Sequence, residues 1–277
     1  MKAQQITFNN FFDKIFVISL FDKTERWKKV SKQFSNRGIK VERFVAIDGR
    51  CKDQGKKGCL DKLKTFEMAY GVRIPYDKRI PLKELIPASS VTIATILMLR
   101  QMVKKKWKHM LICEDDIELT KSIKSKFEAG IKELGKKKWD VLYLGCGGTC
   151  GNIGISHENS KKKKLSNIAK SIGEVYVDDI RDLRIPCEGY CPPISDHLSW
   201  AFSPGGGWCY AYSLSGAKKM LKLIDNNAAE HIDQLLMKYT ENGDLRSIAF
   251  DPPIVMHEKL EIESDGSRKG SDIPWKL

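Results

Sequence analysis

The stretch HMLICEDDIELT, residues 109–120, sets an apolar run, Met110-Leu111-Ile112-Cys113, directly against three consecutive acids, Glu114-Asp115-Asp116, before Ile117 resumes the apolar pattern. The run reads as a buried β-strand. Packed like charges repel one another, so such an ending calls for a cation, an Arg or Lys cluster, or bulk water beside it.

Outward from this strand, strand and helix signals alternate. KIFVISL (14–20) and VERFVAIDG (41–49) read as strands, and TERWKKVSKQFSNRG (24–38) between them places Trp27, Val30 and Phe34 on one helical face before stopping at Gly38. Residues 50–80 carry a weak pattern and read as a surface excursion. SSVTIATILMLRQMVKKK (89–106) predicts a buried helix with Ser89 or Ser90 as N-cap and cations at its C-terminal end. After the acids come a helix over 120–135 and WDVLYLG (139–145), a strand that breaks into a glycine-rich loop. WCYAYSL (208–214) is a strand, SGAKKMLKLID (215–225) a helix capped by Ser215, and a further helix (231–241) and short strand (246–250) precede an irregular tail. This alternation predicts an α/β fold with a mostly parallel sheet. In open α/β sheets ligands bind outside the carboxyl ends of the strands. Glu114-Asp115-Asp116, Asp48 and Gly145 all occupy such ends, so the triple carboxylate marks a site.

The bulk numbers bound the rest. A chain of 277 residues, 42% hydrophobic and 30% charged, can bury a full core. The net charge of +13, carried in short lysine runs, suits polyanionic partners, although a solvated lysine surface gives the same composition. The lysines lack the aromatic interleaving of a single-strand platform and no nucleic-acid module is recognisable, so nucleic acid is an improbable partner. No uninterrupted apolar run is long enough to span a bilayer, and the N-terminus lacks the apolar core of a signal peptide. The expectation is a soluble, cytoplasmic protein. Its eight cysteines then read as free thiols. The Cys146/Cys150 and Cys187/Cys191 spacings fit zinc or a disulfide less well. The lysine run ending at Lys164 is the strongest candidate for disorder.

Glu114 and Asp116 are hard oxygen ligands of the kind Mg²⁺ or Mn²⁺ takes, with positions left for substrate phosphates. Such an ion would neutralise a diphosphate leaving group. Asp115 would point the other way, toward an Arg, a helix terminus or an acceptor. The alternative is that the acids cap the next helix.

The order of segments resembles the family 25 glycosyltransferases, which include lipopolysaccharide and collagen galactosyltransferases. The resemblance rests on VISLFDKTERWKK (17–29), FVAIDG (44–49), ICEDDIEL, the WDVLYLG strand, YAYSLSGAKKML, HIDQLL, FDPPIVMHEK (250–259) and SDI (271–273). It covers most of the chain in the correct order. It implies a GT-A fold, a Rossmann-like mostly parallel sheet with helices on both faces, in one domain over 1–277. Residues 14–145 would form the nucleotide-sugar-binding half and 146–277 the acceptor-side half. The implied reaction moves a hexose, galactose or glucose, from a UDP-sugar to a hydroxyl of a glycan or hydroxylysine-type acceptor, with Mn²⁺ or Mg²⁺ and inversion at the sugar. Ser19, Leu20 and Asp48 would receive the nucleoside. Arg26 would meet the nucleotide or pair with Asp22. Glu114 and Asp116 correspond to the metal-diphosphate motif, and His257 completes the metal shell.

Inversion needs a carboxylate that deprotonates the acceptor hydroxyl. Asp233 in HIDQLL is the choice for that base, against its reading as a first-turn helix acid. Asp196, His197, Trp200 and Trp208 are further acceptor-side candidates. The chain departs from the family at Val91, where a histidine usually follows the serine matched by Ser90. That departure leaves room for a catalytically degenerate nucleotide-binding protein. The setting implied is a cytoplasmic bacterial or viral enzyme building surface glycans, acting on a glycan or lipid-linked acceptor, with peripheral association with anionic membrane through its basic face.

Overall fold

The computed structural model describes residues 5–51, 55–150 and 193–257, with the short stretches 261–262 and 268–269. The lysine run at 161–164, the Cys187/Cys191 pair and the SDI segment lie outside the described residues.

Eight strands and seven helices build the fold among the described residues: α1 (Phe8–Phe11), β1 (Lys14–Leu20), α2 (Thr24–Ser35), β2 (Glu42–Ala46), α3 (Gly55–Tyr70), α4 (Leu82–Lys105), β3 (His109–Glu114), β4 (Ile117–Leu119), α5 (Ile123–Leu134), β5 (Val141–Cys150), β6 (Leu198–Ser213), α6 (Leu214–Ile224), α7 (Ile232–Glu241), β7 (Ser247–Phe250) and β8 (Val255–His257). A two-stranded pair at 261–262 and 268–269 stands apart from them.

Six strands form one sheet in the order β2-β1-β3-β6-β5-β7. β1 pairs parallel to β2 and β3, and β5 pairs parallel to β7, while β6 runs antiparallel to both β3 and β5. The sheet is therefore mostly parallel, with β6 the one reversed strand. Its strands are buried on both faces, which explains their near-continuous apolar runs. Phe16, Met110, Ile112, Tyr143 and Tyr212 enter one core cluster with α3, α4, α6 and α7. Ile15, Val17, Leu111, Leu142 and Ala211 enter the other, against α1, α2 and α5. Alternation along each strand thus fills two cores with helices on both faces.

Several expectations need correction. The stretch read as a surface excursion contains α3, whose Cys59, Leu63 and Phe66 are buried; lysines between these apolar positions obscure their helical spacing. α4 begins at Leu82, not at Ser89 or Ser90, and carries Pro87 inside it. Proline in a sequence reads as a boundary, yet Leu85 and Ile86 before it are core residues, and the Ser90 hydroxyl donates to the Pro87 carbonyl at 2.7 Å. α4 is long and apolar enough to cross a membrane by composition, but most of it is packed in the interior. β5 does not break at Gly145 but continues to Cys150 alongside β6. A Cβ on Gly145 would lie 2.0 Å from the Val255 carbonyl and 2.3 Å from Trp208 Nε1. Only glycine admits that approach. Ser213, not Ser215, caps α6, accepting the Gly216 N–H at 3.0 Å.

Five cysteines among the described residues are bonded rather than free. Cys51 is bonded to Cys59, and Cys113 to Cys209, which faces it across β3 and β6 with Cα atoms 4.1 Å apart. Cys146 is disulfide-bonded as well. Cys113 and Cys209 are 96 residues apart, a separation that local spacing cannot reveal. Such pairs are at odds with the reduced thiols expected of a cytoplasmic chain.

Asp140 ties the strand starts together. Its side chain is buried, accepts from Lys219 Nζ at 2.6 Å and from the Arg246 N–H at 3.0 Å, and its carbonyl accepts the Ser213 N–H. Asp140→Ala therefore removes the charge-assisted bonds to Lys219 and to the Arg246 N–H, leaving the backbone bond to Ser213, and is expected to cost about 2 kcal/mol in urea denaturation. Lys219→Ala, whose side chain is half exposed, should cost less; equal losses would place the stabilisation in the ion pair alone.

Candidate active site

β3 delivers Glu114 to the carboxyl edge of the sheet, and the turn to β4 presents Asp115 and Asp116. β4 then pairs antiparallel with β8, placing Ile117 opposite His257. This short pairing brings His257 Nε2 to 3.5 Å from Asp116 Oδ1. Glu114, Asp116 and His257 can each offer one ligand atom, and those atoms all lie within 4.8 Å of one another. Trp208 flanks the imidazole, with ring centroids 5.8 Å apart, and its own N–H is held by the Val255 carbonyl at 3.0 Å.

Beside the acids lies a cavity of ≈ 370 Å³ lined by Ser19, Leu20, Arg26, Arg50, Val91 and Glu114 among others. Arg43 fixes the β1 end of this cavity, donating to Ser19 Oγ at 3.3 Å and to the carbonyls of Leu20 at 2.6 Å and Phe21 at 3.2 Å. Asp115 and Asp116 do not splay apart: Arg26 reaches both, at 3.3 and 3.2 Å. The alternative partner for Arg26, Asp22, is taken by Arg50 at 2.6 Å. Asp48 does not line the cavity. It grips Arg50 through the guanidinium at 2.7 Å and through the Arg50 N–H at 2.9 Å. The Arg50 side chain holds the Asp48 carboxyl down at about 2. Gly49 lets this turn approach α4, since a Cβ there would meet Ser90 Oγ at 2.5 Å.

Asp233 sits in the first turn of α7 behind two lining residues, Ile232 and Gly207, and is itself buried. Its carboxylate accepts a backbone hydrogen bond from Gly207. His231 is the N-cap of α7, with Nδ1 accepting the Asp233 N–H at 3.2 Å and lying 3.7 Å from Asp233 Oδ2. Burial raises the Asp233 carboxyl, and the neighbouring His231 opposes this. Glu114 is pushed well above the usual carboxylate range, first by burial, then by the charges of Asp233, Asp116 and Asp115, with Arg26 pulling back. Burial and neighbouring like charge both disfavour the ionised form of these carboxyls, a penalty that a bound cation would relieve.

Every residue assigned to the metal or donor from sequence lies in or against this cavity, Asp48 through Arg50. The acceptor-side candidates do not gather. His197 pairs with Glu133 of α5 at 2.6 Å, and Trp208 is a buried wall behind His257. Arg50 and Lys23, both cavity-lining, escaped the sequence reading. The signal was present, because Arg50 follows the IDG turn two residues after Asp48.

Converging acids, an imidazole and a cavity lined by both acidic and basic side chains thus meet at the carboxyl edge of the sheet, and comparison with known proteins identifies the chain as a glycosyltransferase. Residues 12–148 match the family described as Glycosyltransferase family 25 (LPS biosynthesis protein). Over those residues the chain is a family 25 glycosyltransferase segment. It is 24% identical over 262 residues to procollagen galactosyltransferase 2 of Mus musculus, spanning 88% of this chain but 35% of that protein. Among solved structures it is similar to A197 from STIV, with a TM-score of 0.41 and 12% identity over 92% of this chain and 91% of that one. It is also similar to mouse xyloside xylosyltransferase 1 in its apo form, with a TM-score of 0.32 and 13% identity over 83% and 69%.

A carboxyl raised by folding binds its proton longer in the native than in the unfolded state, so stability falls as pH climbs from the ordinary carboxylate range toward the raised value. In the presence of chelator, Glu114→Gln and Asp233→Asn should therefore raise the Tm at neutral pH and do much less at pH near 4, where the native carboxyls are already protonated. Differential scanning calorimetry across pH checks this; a pH-independent difference would show that charge is not the cause.

Proposed function

We propose that the chain is an inverting, metal-dependent hexosyltransferase of GT-A fold, moving galactose or glucose from a UDP-sugar to a hydroxyl of a glycan or hydroxylysine-type acceptor. The observation that carries the reading is the convergence of Glu114, Asp116 and His257 within 4.8 Å beside a cavity that Lys23, Arg26 and Arg50 also line. Two carboxylates and an imidazole suit Mn²⁺, and Mg²⁺ less fully. Octahedral ligands at ~2.1 Å from an ion stand roughly 3–4 Å apart, so the three atoms need only a small contraction to share one. When bound, the ion would act as a Lewis acid on the leaving diphosphate.

The chain's own residues take the remaining roles. Ser19 and Leu20 hold the nucleoside at the end of β1. Arg26, Arg50 and Lys23 meet phosphate charge, with Asp48 aiming Arg50 and Asp115 aiming Arg26. Asp233 accepts the acceptor hydroxyl's proton, a task for which a carboxyl raised toward neutrality is well matched. In this reading 1–277 is a single domain with a nucleotide half over 14–145 and an acceptor half over 146–277. Both core clusters draw residues from both halves, which supports it. The mouse relative's name points to a galactosyl donor and a collagen-type acceptor, and this chain corresponds to about a third of it.

A second reading, nucleotide binding without turnover, is favoured by Val91 standing in the cavity wall. Release of UDP from a panel of UDP-sugars, with Mn²⁺ and with chelator, separates the two. Metal-dependent release from one sugar, lost in the Glu114→Ala, Asp116→Ala double variant, is the expected outcome. Asp233→Asn should lower transfer by a factor on the order of 10² to 10⁴ with UDP binding intact. Tight UDP binding with no release from any sugar, acceptor present, would establish the second reading instead.

A further inference from the structure

Seven exposed lysines gather at the pole opposite the site. The turn from α4 into β3 carries Lys104, Lys105, Lys106 and Lys108, all exposed, and the turn from α5 into β5 carries Lys136, Lys137 and Lys138, also exposed. Both turns precede parallel strands, so both lie at the amino edge of the sheet. They are also neighbours. β6 ends between them, with Ser213 opposite His109 and Tyr212 opposite Val141. Two inter-strand spacings put the two turns roughly 10 Å apart. Hydrogen bonds knit them together: the Leu214 N–H donates to the Lys108 carbonyl at 2.9 Å, and Ser213 Oγ donates to the Trp139 carbonyl at 2.8 Å.

Among the described residues, what distinguishes this pole is that its lysines are not ion-paired. Around the cavity the basic side chains are matched, Arg50 by Asp22 and Asp48, and Arg26 by Asp115 and Asp116. Among the described residues, no ion pair joins any of the seven turn lysines to a carboxylate. The nearby acids are occupied: Asp13 accepts the Lys108 and His109 N–H groups, and Asp140 is held by Lys219 and Arg246. Glu42 takes Lys14, and Glu241 and Asp244, before β7, are exposed acids of the same edge. The C-termini of α4 and α5 point here too, but each offsets only about half a charge. Seven ammonium groups within one or two Debye lengths repel one another unless a polyanion lies against them.

We propose that this lysine-rich pole docks on an anionic bilayer surface and holds the carboxylate cluster facing away from it. The turns form a surface of charge without exposed rings: Trp107 is half buried and Trp139 buried. Attraction is thus to the phosphates of a flat surface rather than to stacked bases. β3, six residues long, spans about 20 Å between pole and acids. If the site transfers sugar as proposed above, its acceptor stands off the docking membrane or in solution instead of lying in its headgroup layer. The basic pole and the carboxylate cluster therefore face opposite ways along the strands.

Co-sedimentation of the full chain with phosphatidylcholine vesicles, with and without phosphatidylglycerol, tests the docking without any need for turnover. Binding should require the anionic lipid and vanish at high salt. Each lysine near the surface contributes ~1 kcal/mol, about fivefold in affinity, so Lys136→Gln, Lys137→Gln, Lys138→Gln should weaken binding roughly a hundredfold. Lys104→Gln, Lys105→Gln, Lys108→Gln should do likewise, and neither triple variant should alter UDP binding in solution. Unchanged vesicle binding in both variants, or tighter binding to a single-stranded RNA oligomer through the same lysines, would overturn the proposal. So would loss of UDP binding on the vesicle, since that would place the cavity against the membrane.

Discussion

Mutual repulsion among carboxylates organises this molecule. Glu114, Asp115 and Asp116 follow one another at the end of a buried strand, and Asp233 arrives behind them from α7. No compact chain tolerates such crowding without compensation, and the compensations can be named. Arg26 spans Asp115 and Asp116 from α2, β8 brings an imidazole to Asp116, and Gly207 offers a backbone N–H to Asp233. The remaining imbalance falls on Glu114, whose proton is held tightly. The neighbourhood is therefore built to receive positive charge, whether from an ion, a substrate or a proton. Stability is surrendered locally for a site that is ready to bind.

The reversed strand β6 deserves equal weight in the architecture. Inserted antiparallel between β3 and β5, it joins the half of the sheet that carries the acids to the half that ends in β7. Its residues alternate between the two cores, Tyr210 and Tyr212 to one and Cys209 and Ala211 to the other. Gly207, within the same strand, closes over Tyr210 and Tyr143 so tightly that a Cβ would stand 3.0 Å from the Tyr210 ring. That strand thus supplies both the seam of the sheet and the backbone contact that orients Asp233.

Much of this was legible in the amino-acid sequence, for physical reasons. Apolar runs of β-branched residues at 14–20 and 109–113 are unmistakable because both strand faces are buried, and acids ending one of them stand out against that background. The metal and donor candidates came from strand ends, which topology forces together. The missed features depend on packing that spacing does not encode. α3 hides among lysines, Pro87 looks like a terminus within a helix that tertiary packing extends, and Cys113 meets Cys209 only once β6 is placed. The Arg26 partner was undecidable while Arg50 was overlooked, since Asp22 can satisfy only one of them. The sequence does not show which partner each acceptor-side residue takes: His197 pairs with Glu133 of α5.

The pairing of β4 with β8 has a consequence in time as well as in space. Glu114 and Asp116 are synthesised in the first half of the chain, whereas His257 emerges only after α7 and β7. Strands β1 and β3 can pair as soon as they leave the ribosome, yet the acid triplet stays without its imidazole until a three-residue strand from far downstream finds it. A nascent chain therefore carries an incomplete, self-repelling loop through most of its assembly. Closure of that loop sets an imidazole against acids laid down in the first half of the chain, so a short strand made late latches a cluster begun much earlier.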